Sequence, residues 1–184
     1  MLIHQWREQN GALADAAGYS SFKAKPTFGG SDESWFVGYN NTDATFSGKL
    51  IAKSVTKVGT GNWTIKGNEN SSSITVKEGK LTIFNLSGSA TTGTLTIAKG
   101  ATLAGSGTTN SLVAQAGAII IPGLSETAVG TIKTNSNAII QAGASMIINV
   151  SATSNSKLNV KGSIFTMAGN DTIVIAPQDG RTFI

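Results

Sequence analysis

Cysteine is absent from this chain, histidine occurs once, proline three times, and charged residues make up only 13% of its 184 positions. Each scarcity removes a class of protein. Without cysteine there is no disulfide framework and no thiolate metal site. A Ser–His nucleophile pair needs a histidine held beside the serine and oriented by a third group; the sole candidate, His4, lies three residues from the start of the chain. No apolar run approaches the roughly 20 residues that span a bilayer. The longest, Ala116 to Pro122, is interrupted by Gly117, so direct membrane insertion of this segment is not expected. Aromatics are 7% of the chain, and none occurs between Asn85 and Ile164.

What is there is small and polar. Gly, Ser, Thr and Asn together supply 42% of the residues, while 40% of the chain is hydrophobic. That apolar content with so little charge is not the composition of a disordered tail. The formal charge of +4 comes from 14 cations and 10 anions, and the cations stand singly, as at Lys99, Lys133, Lys157 and Lys161. A nucleic-acid binder clusters them or interleaves them with stacking aromatics, so no nucleic-acid partner is expected. The first residues, Met1 to Glu8, lack the basic start and apolar stretch of a secretory signal. The last, Gly180 to Ile184, stop on strand-like residues without a closing turn. The two ends together suggest a piece of a longer chain.

The texture changes near residue 42. Residues 1–41 hold Trp6, Tyr19, Phe22, Phe28, Trp35, Phe36 and Tyr39 and read as an aromatic-rich cap segment. The spacing of Trp6, Leu13, Ala16 and Ala17 suits a short helix over Gln5–Ala17, against which Gly11 counts. Pro26 and Gly29-Gly30 read as irregular chain. From residue 42 to 184, short runs of Val, Ile, Leu and Thr alternate with Gly, Ser and Asn, the pattern of strands and turns. Ile74-Thr75-Val76, Leu81-Thr82-Ile83, Leu95-Thr96-Ile97, Ile119 to Ile121 and Ile173-Val174-Ile175 are examples.

A corner pattern recurs: Glu78-Gly79-Lys80-Leu81, Lys99-Gly100-Ala101-Thr102-Leu103, Ala116-Gly117-Ala118-Ile119, Ala142-Gly143-Ala144-Ser145-Met146 and Lys161-Gly162-Ser163-Ile164. The spacing is near 20 residues, with intervals such as 21 from Gly79 to Gly100 and 17 from Gly100 to Gly117. One coil of that length has a single apolar side and must stack on its neighbours to bury it. The expected fold is therefore all-β: a parallel β-helix, or solenoid, of about seven coils over 42–184 behind an irregular N-terminal cap. At a rung spacing of roughly 4.8 Å its rod would be roughly 34 Å long. A β-sandwich also shows short, evenly spaced strands. It normally carries longer alternating strands and several core aromatics, and the solenoid suits this sequence better.

Ala44-Thr45-Phe46-Ser47-Gly48, followed by Thr56-Lys57-Val58-Gly59-Thr60-Gly61-Asn62-Trp63-Thr64-Ile65-Lys66-Gly67-Asn68, resembles the passenger-associated repeat of bacterial autotransporters. Ile74 to Ile83 is similar to the second half of that unit. Pro122-Gly123, Gly130-Thr131-Ile132, Ala142 to Val150 and Leu158 to Gly162 resemble the C-terminal coils of such passengers. At that last strand the family often has an Asp before the apolar residue, where this chain has Ser156-Lys157. The resemblance covers about 140 residues from Thr42 onward. It implies a right-handed parallel β-helix on, or released from, the outer surface of a Gram-negative cell, adhesin-like, with host or surface glycans or proteins as partners.

Chemistry-bearing groups are sparse. Asp32 and Glu33 are adjacent, so in a strand they point to opposite faces, and Glu126, Asp171 and Asp179 fall in different coils. Neither a glycosidase acid pair nor a calcium-binding repeat with an Asp in each coil is legible. Gly59-Thr60-Gly61 lacks the continuation that would make it a phosphate loop. No cofactor, no metal and no enzymatic activity are expected. Trp35, Phe36 and Tyr39, beside Asp32 and Asn40, form the candidate glycan contact. The competing role for Trp6, Trp35 and Phe36 is to cover the open end of the solenoid. The alternatives to a non-catalytic stalk are a glycan-binding module or a polysaccharide-active enzyme. The unfinished C-terminal edge makes edge-to-edge self-association a further expectation.

Overall fold

A computed structural model describes residues 27–67, 69–84, 93–124, 128–151 and 153–177. These residues hold 18 β-strands and no helix. The segment expected to form a short helix, with Trp6 and His4, lies outside the described residues, as do Glu126 and Asp179.

Every strand pair is parallel, and the strands make three sheets. One long sheet runs β1 (Thr27–Val37), β3 (Lys49–Lys57), β6 (Ser73–Val76), β8 (Thr94–Ile97), β11 (Ser111–Ala114), β14 (Ala138–Ile140) and β17 (Phe165–Met167), with β5 (Glu69–Ser71) also pairing β3. The second runs β2 (Ala44–Phe46), β4 (Asn62–Ile65), β7 (Lys80–Ile83), β9 (Thr102–Gly105), β12 (Ile119–Pro122), β15 (Ser145–Val150) and β18 (Thr172–Pro177). The third is short: β10 (Thr108–Thr109), β13 (Thr131–Thr134) and β16 (Lys157–Val160). The chain thus visits the first and second sheets alternately through seven rungs. Between successive rungs the backbone of each strand bonds to its equivalent. That parallel arrangement excludes the antiparallel sandwich; antiparallel contact is confined to isolated bridges at Gly105–Gly123 and Val150–Asn155.

The alternation of apolar and hydroxyl residues within each strand places the core. Ser73-Ile74-Thr75-Val76 and Thr94-Leu95-Thr96-Ile97 bury every second side chain. Stacking turns these into files running along the axis. In the first sheet one interior file is Trp35, Val55, Ile74, Leu95, Leu112, Ala138 and Phe165. In the second it is Ala44, Trp63, Leu81, Leu103, Ile120, Met146 and Ile173. β-Branched and aliphatic residues fill such narrow interiors with few rotamers to lose.

Each turn from the first sheet into the second carries a residue in the left-handed backbone region, and the first turn carries two, Gly38 and Asn41. The series is Gly38, Gly59, Gly79, Gly100, Gly117, Gly143 and finally Asn170 at φ 69°. Glycine adopts that conformation without steric cost, and asparagine is among the few substitutes tolerated there. The steps along this series are 21, 20, 21, 17, 26 and 27 residues. Later rungs lengthen as the third sheet enters, so the period near 20 holds only for the early part of the rod. Lys161-Gly162-Ser163-Ile164 precedes β17 in the first sheet, a different corner from the other four. Both corners demand small residues, which is why they look alike in sequence.

The ladder also reaches further back than the change of texture at residue 42. β1 pairs in parallel with β3 from Thr27↔Lys49 to Val37↔Lys57, with an irregularity between Gly30 and Ser34. Residues 27–37 are therefore strand, where Gly29-Gly30 had read as irregular chain. The bulge absorbs the mismatch, as extra residues do at sheet edges.

Candidate functional site

The first described rung positions the three aromatics of the expected glycan contact. In a strand, neighbours point to opposite faces, and β1 so separates Trp35 from Phe36, while Tyr39 lies in the turn that follows. Trp35 faces the interior at 6% exposure and donates its indole N–H to Glu33 Oε2 at 3.0 Å. It takes part in the core and offers no ring face to a ligand. Phe36 and Tyr39 are exposed at 53% and 64%. Their ring centroids lie 6.2 Å apart with a 31° tilt. Two of the three residues thus remain as an outward aromatic pair, and Asp32 and Asn40 are exposed as well.

A second surface was not legible in the sequence. On the outward side of the second sheet, a groove of about 330 Å³ is lined by Thr45, Thr64 and Thr82 with Asn62, Lys66, Phe84 and Leu124. The three threonines are register partners on β2, β4 and β7. Asn62 is held between them: its side-chain amide donates to Thr64 Oγ1 at 3.2 Å, and Thr82 Oγ1 donates to its carbonyl oxygen at 2.8 Å. Thr64, having accepted, keeps its own hydroxyl proton for a ligand acceptor. Lys80 Nζ reaches Leu124 O at 3.3 Å, holding the groove's rim 44 residues away in sequence. The signal in the sequence was the central threonine of Ala44-Thr45-Phe46, Trp63-Thr64-Ile65 and Leu81-Thr82-Ile83, which reads equally well as ordinary strand.

Among the described residues one charged side chain is fully buried. Lys57 occupies an interior file of the first sheet between Val37 and Val76, and is 1% exposed. Its ammonium donates to three backbone carbonyls: Val58 at 2.8 Å, Gly59 at 2.6 Å and Glu78 at 3.2 Å. All three of its protons are therefore used. Burial pushes its pKa down, while Glu78 and then Asp43 push it back up. The ammonium ties the corner of one rung to the next.

Of the acids considered for catalysis, Glu33 bonds Trp35, Asp32 is exposed, and Asp171 lies in the last described rung. Among the described residues no group of three His, Cys, Asp or Glu side chains converges as a metal site would require. Comparison with protein-family models, with curated proteins and with solved structures finds no match to this chain.

Proposed function

We propose that this chain is a non-catalytic strut of a cell-surface or secreted protein, a right-handed parallel β-helix of the autotransporter-passenger kind that projects or supports surface contacts. The carrying observation is the continuous register through seven rungs in two sheets. Backbone hydrogen bonds then point along the rod axis, so stiffness comes from repetition and not from a large globular core. Successive strands of one sheet joined through a crossover wind right-handed in about 98% of cases, which supports the handedness. The segments resembling the passenger-associated repeat, 44–48 and 56–68 with 74–83 after them, take in β2, the end of β3, β4, most of β6 and β7.

Excision of one rung tests the strut. Ser111 N–H bonds to Gly93 O at 3.2 Å, so residues 93 and 110 occupy equivalent places. Deleting Thr94 to Asn110 should leave a folded, cooperative rod shortened by about 4.8 Å in small-angle scattering. With an epitope at one end and an outer-membrane anchor at the other, the rod should keep the epitope within reach of antibody on intact cells. Turnover of a polysaccharide by the intact chain, or failure of the epitope to reach the surface, would overturn the reading.

A glycan-binding role is the second reading, supported by the threonine-lined groove with Phe84 at its wall. Hydroxyls and an amide at fixed spacing suit sugar hydroxyls, and an aromatic face suits a sugar's apolar side. Binding on a glycan array that is lost in Thr64→Val or Phe84→Ala, with the fold intact, would establish it. Loss in Phe36→Ala or Tyr39→Ala instead would assign the contact to the aromatic pair.

A further inference from the structure

Six Asn-x-Ser/Thr triplets occur in the chain, beginning at Asn40, Asn62, Asn70, Asn85, Asn149 and Asn170. The triplet is the acceptor pattern for sugar attachment through the asparagine amide, yet a chain rich in asparagine and threonine produces it by composition alone. The fold tells the triplets apart. Asn62 and Thr64 lie in β4, where the Asn62 amide donates to Thr64 Oγ1 and its oxygen accepts from Thr82 Oγ1. Asn70 lies in β5, next to the buried Ser71. Asn149 is fully buried in β15, and its amide donates to Ala128 O at 3.0 Å. Asn170 is exposed, but the carboxylate oxygens of Asp171 are shielded from solvent and Thr172 N–H is bonded to Ala144 O at 3.0 Å. Asn85 lies outside the described residues.

Asn40-Asn41-Thr42 alone among the described triplets lies wholly between strands, in the corner joining β1 to β2, with all three residues exposed. The corner is pinned around a free acceptor. Asn41 N–H donates to Gly38 O at 3.0 Å, and Asn41 Oδ1 accepts from Thr60 N–H on the next rung at 2.9 Å. Asp43 Oδ1 accepts from Asn62 N–H at 2.8 Å. Asn40 Oδ1 accepts only a long bond from Thr42 N–H, at 3.5 Å, an asparagine turn. Among the described residues, Asn40 Nδ2 and the Thr42 hydroxyl have no hydrogen-bond partner. The exposed rings of Phe36 and Tyr39, 6.2 Å apart, belong to the same corner. Tyr39 directly precedes Asn40, so their Cα atoms are about 3.8 Å apart.

We propose that Asn40 is a glycosylation acceptor and that the Phe36–Tyr39 pair seats the first attached sugar. The donor is a sugar diphosphate, nucleotide- or lipid-linked, brought by a glycosyltransferase. Asn40 Nδ2 bonds to the anomeric carbon of the sugar as the bond from that carbon to the phosphate oxygen breaks. The diphosphate leaves with the electron pair, and the amide gives up one proton to a base of the transferase. Such an enzyme must take both the asparagine and the hydroxyl two residues on into its own site. The 40–42 corner meets that demand without withdrawing a strand from its sheet, which the triplets in β4, β5 and β15 do not. The apolar face of the sugar then packs on the two rings and covers apolar surface that otherwise faces water. The proposal adds to the surface placement of the strut, and the purified chain tests it independently of that placement.

Incubation of the purified, folded full chain with an asparagine glycosyltransferase tests this, the enzyme being one that modifies a synthetic peptide of residues 36–44. Nucleotide-linked and lipid-linked sugars are supplied in separate arms, which tell the two donors apart. Peptide mass spectrometry should find sugar at Asn40, with Asn62, Asn149 and Asn170 bare. Asn40→Gln and Thr42→Val should each lose it, and Thr42→Ser, which keeps the hydroxyl, should retain it. Protons of the attached sugar should show upfield NMR shifts from the rings, lost when Phe36→Ala and Tyr39→Ala are combined while attachment persists. Asn40 left bare in the folded chain while the peptide is modified would overturn the proposal. So would sugar at Asn62, Asn149 or Asn170 in preference to Asn40. Sugar shifts that survive removal of both rings would overturn the seat.

Discussion

Lys57 and Trp35 show how much a single position in a stacked fold depends on which way it faces. Lys57 sits where neighbouring rungs carry valine, and its charge is tolerated because three carbonyls converge on it. Its proton is held less tightly in the folded chain than in the unfolded one. The unfolded state therefore binds more protons between the lowered folded value and the ordinary 10.5, and stability rises with pH across that window. Below the folded value the cost of burying the charge is present in full. Lys57→Met should flatten this rise, as read from urea midpoints measured from neutral pH to about pH 10.5.

Trp35 and Phe36 are adjacent and opposite in consequence. Trp35→Ala should cost about 3–5 kcal/mol by chemical denaturation, the range for emptying a buried aromatic site. Phe36→Ala should stay within about 0.5 kcal/mol, as exposed substitutions do. Equal effects from the two would mean that β1 does not alternate as described.

At the scale of the element, the strands are short and the corners carry the constraint. A side chain added at Gly93 would place its Cβ 1.6 Å from Ser72 O, with the rung-to-rung bond from Ser111 just beyond. Gly93→Ala should destabilise by about 2–4 kcal/mol, since backbone and not a flexible side chain must move. Asn170→Gly, at the corner position that glycine fills in six other rungs, should be neutral or stabilising in thermal melts. Buried hydroxyls serve the other corners. Thr134 Oγ1 donates to Ser136 O at 2.8 Å, a carbonyl that also accepts from Gly162 N–H at 3.2 Å, and Thr109 Oγ1 donates to Ser111 O at 3.5 Å.

Over the whole molecule, each rung touches only its neighbours, so stability is a sum of rung and interface contributions. The central rungs have an interface on both sides, the last described one on a single side. Leu95→Ala, in the fourth rung, should cost about 2–5 kcal/mol, and Met167→Ala, in the seventh, distinctly less. Hydrogen exchange should be slowest in β6, β8 and β11 and fastest in β17 and β18. Uniform protection along the chain would contradict this one-dimensional picture.

Much of the architecture could be read from the residues in order. The runs at Ile74, Leu81, Leu95, Ile119, Met146 and Ile173 are all strands, because alternation of apolar and hydroxyl residues with glycine punctuation has few other solutions. The glycine corners announced stacking, since a coil of that length cannot bury its apolar side alone. The sequence could not say which corner a given Gly belongs to, and so one first-sheet corner was grouped with four from the second. Nor could it show β1, whose glycines and acids hide a strand that only its partner β3 defines.

The sites were less legible still. The groove over Thr45, Thr64 and Thr82 joins residues 19 and 18 positions apart, and only register brings them into one row. Asp171, an isolated acid in the sequence, precedes β18 at the place that a small residue holds before β4, β7, β9, β12 and β15. What the linear order determined was period and polarity, because these are properties of neighbours along the chain. Facing, burial and pairing were decided by the tertiary structure, since in a stacked rod a side chain's surroundings come from the rungs above and below.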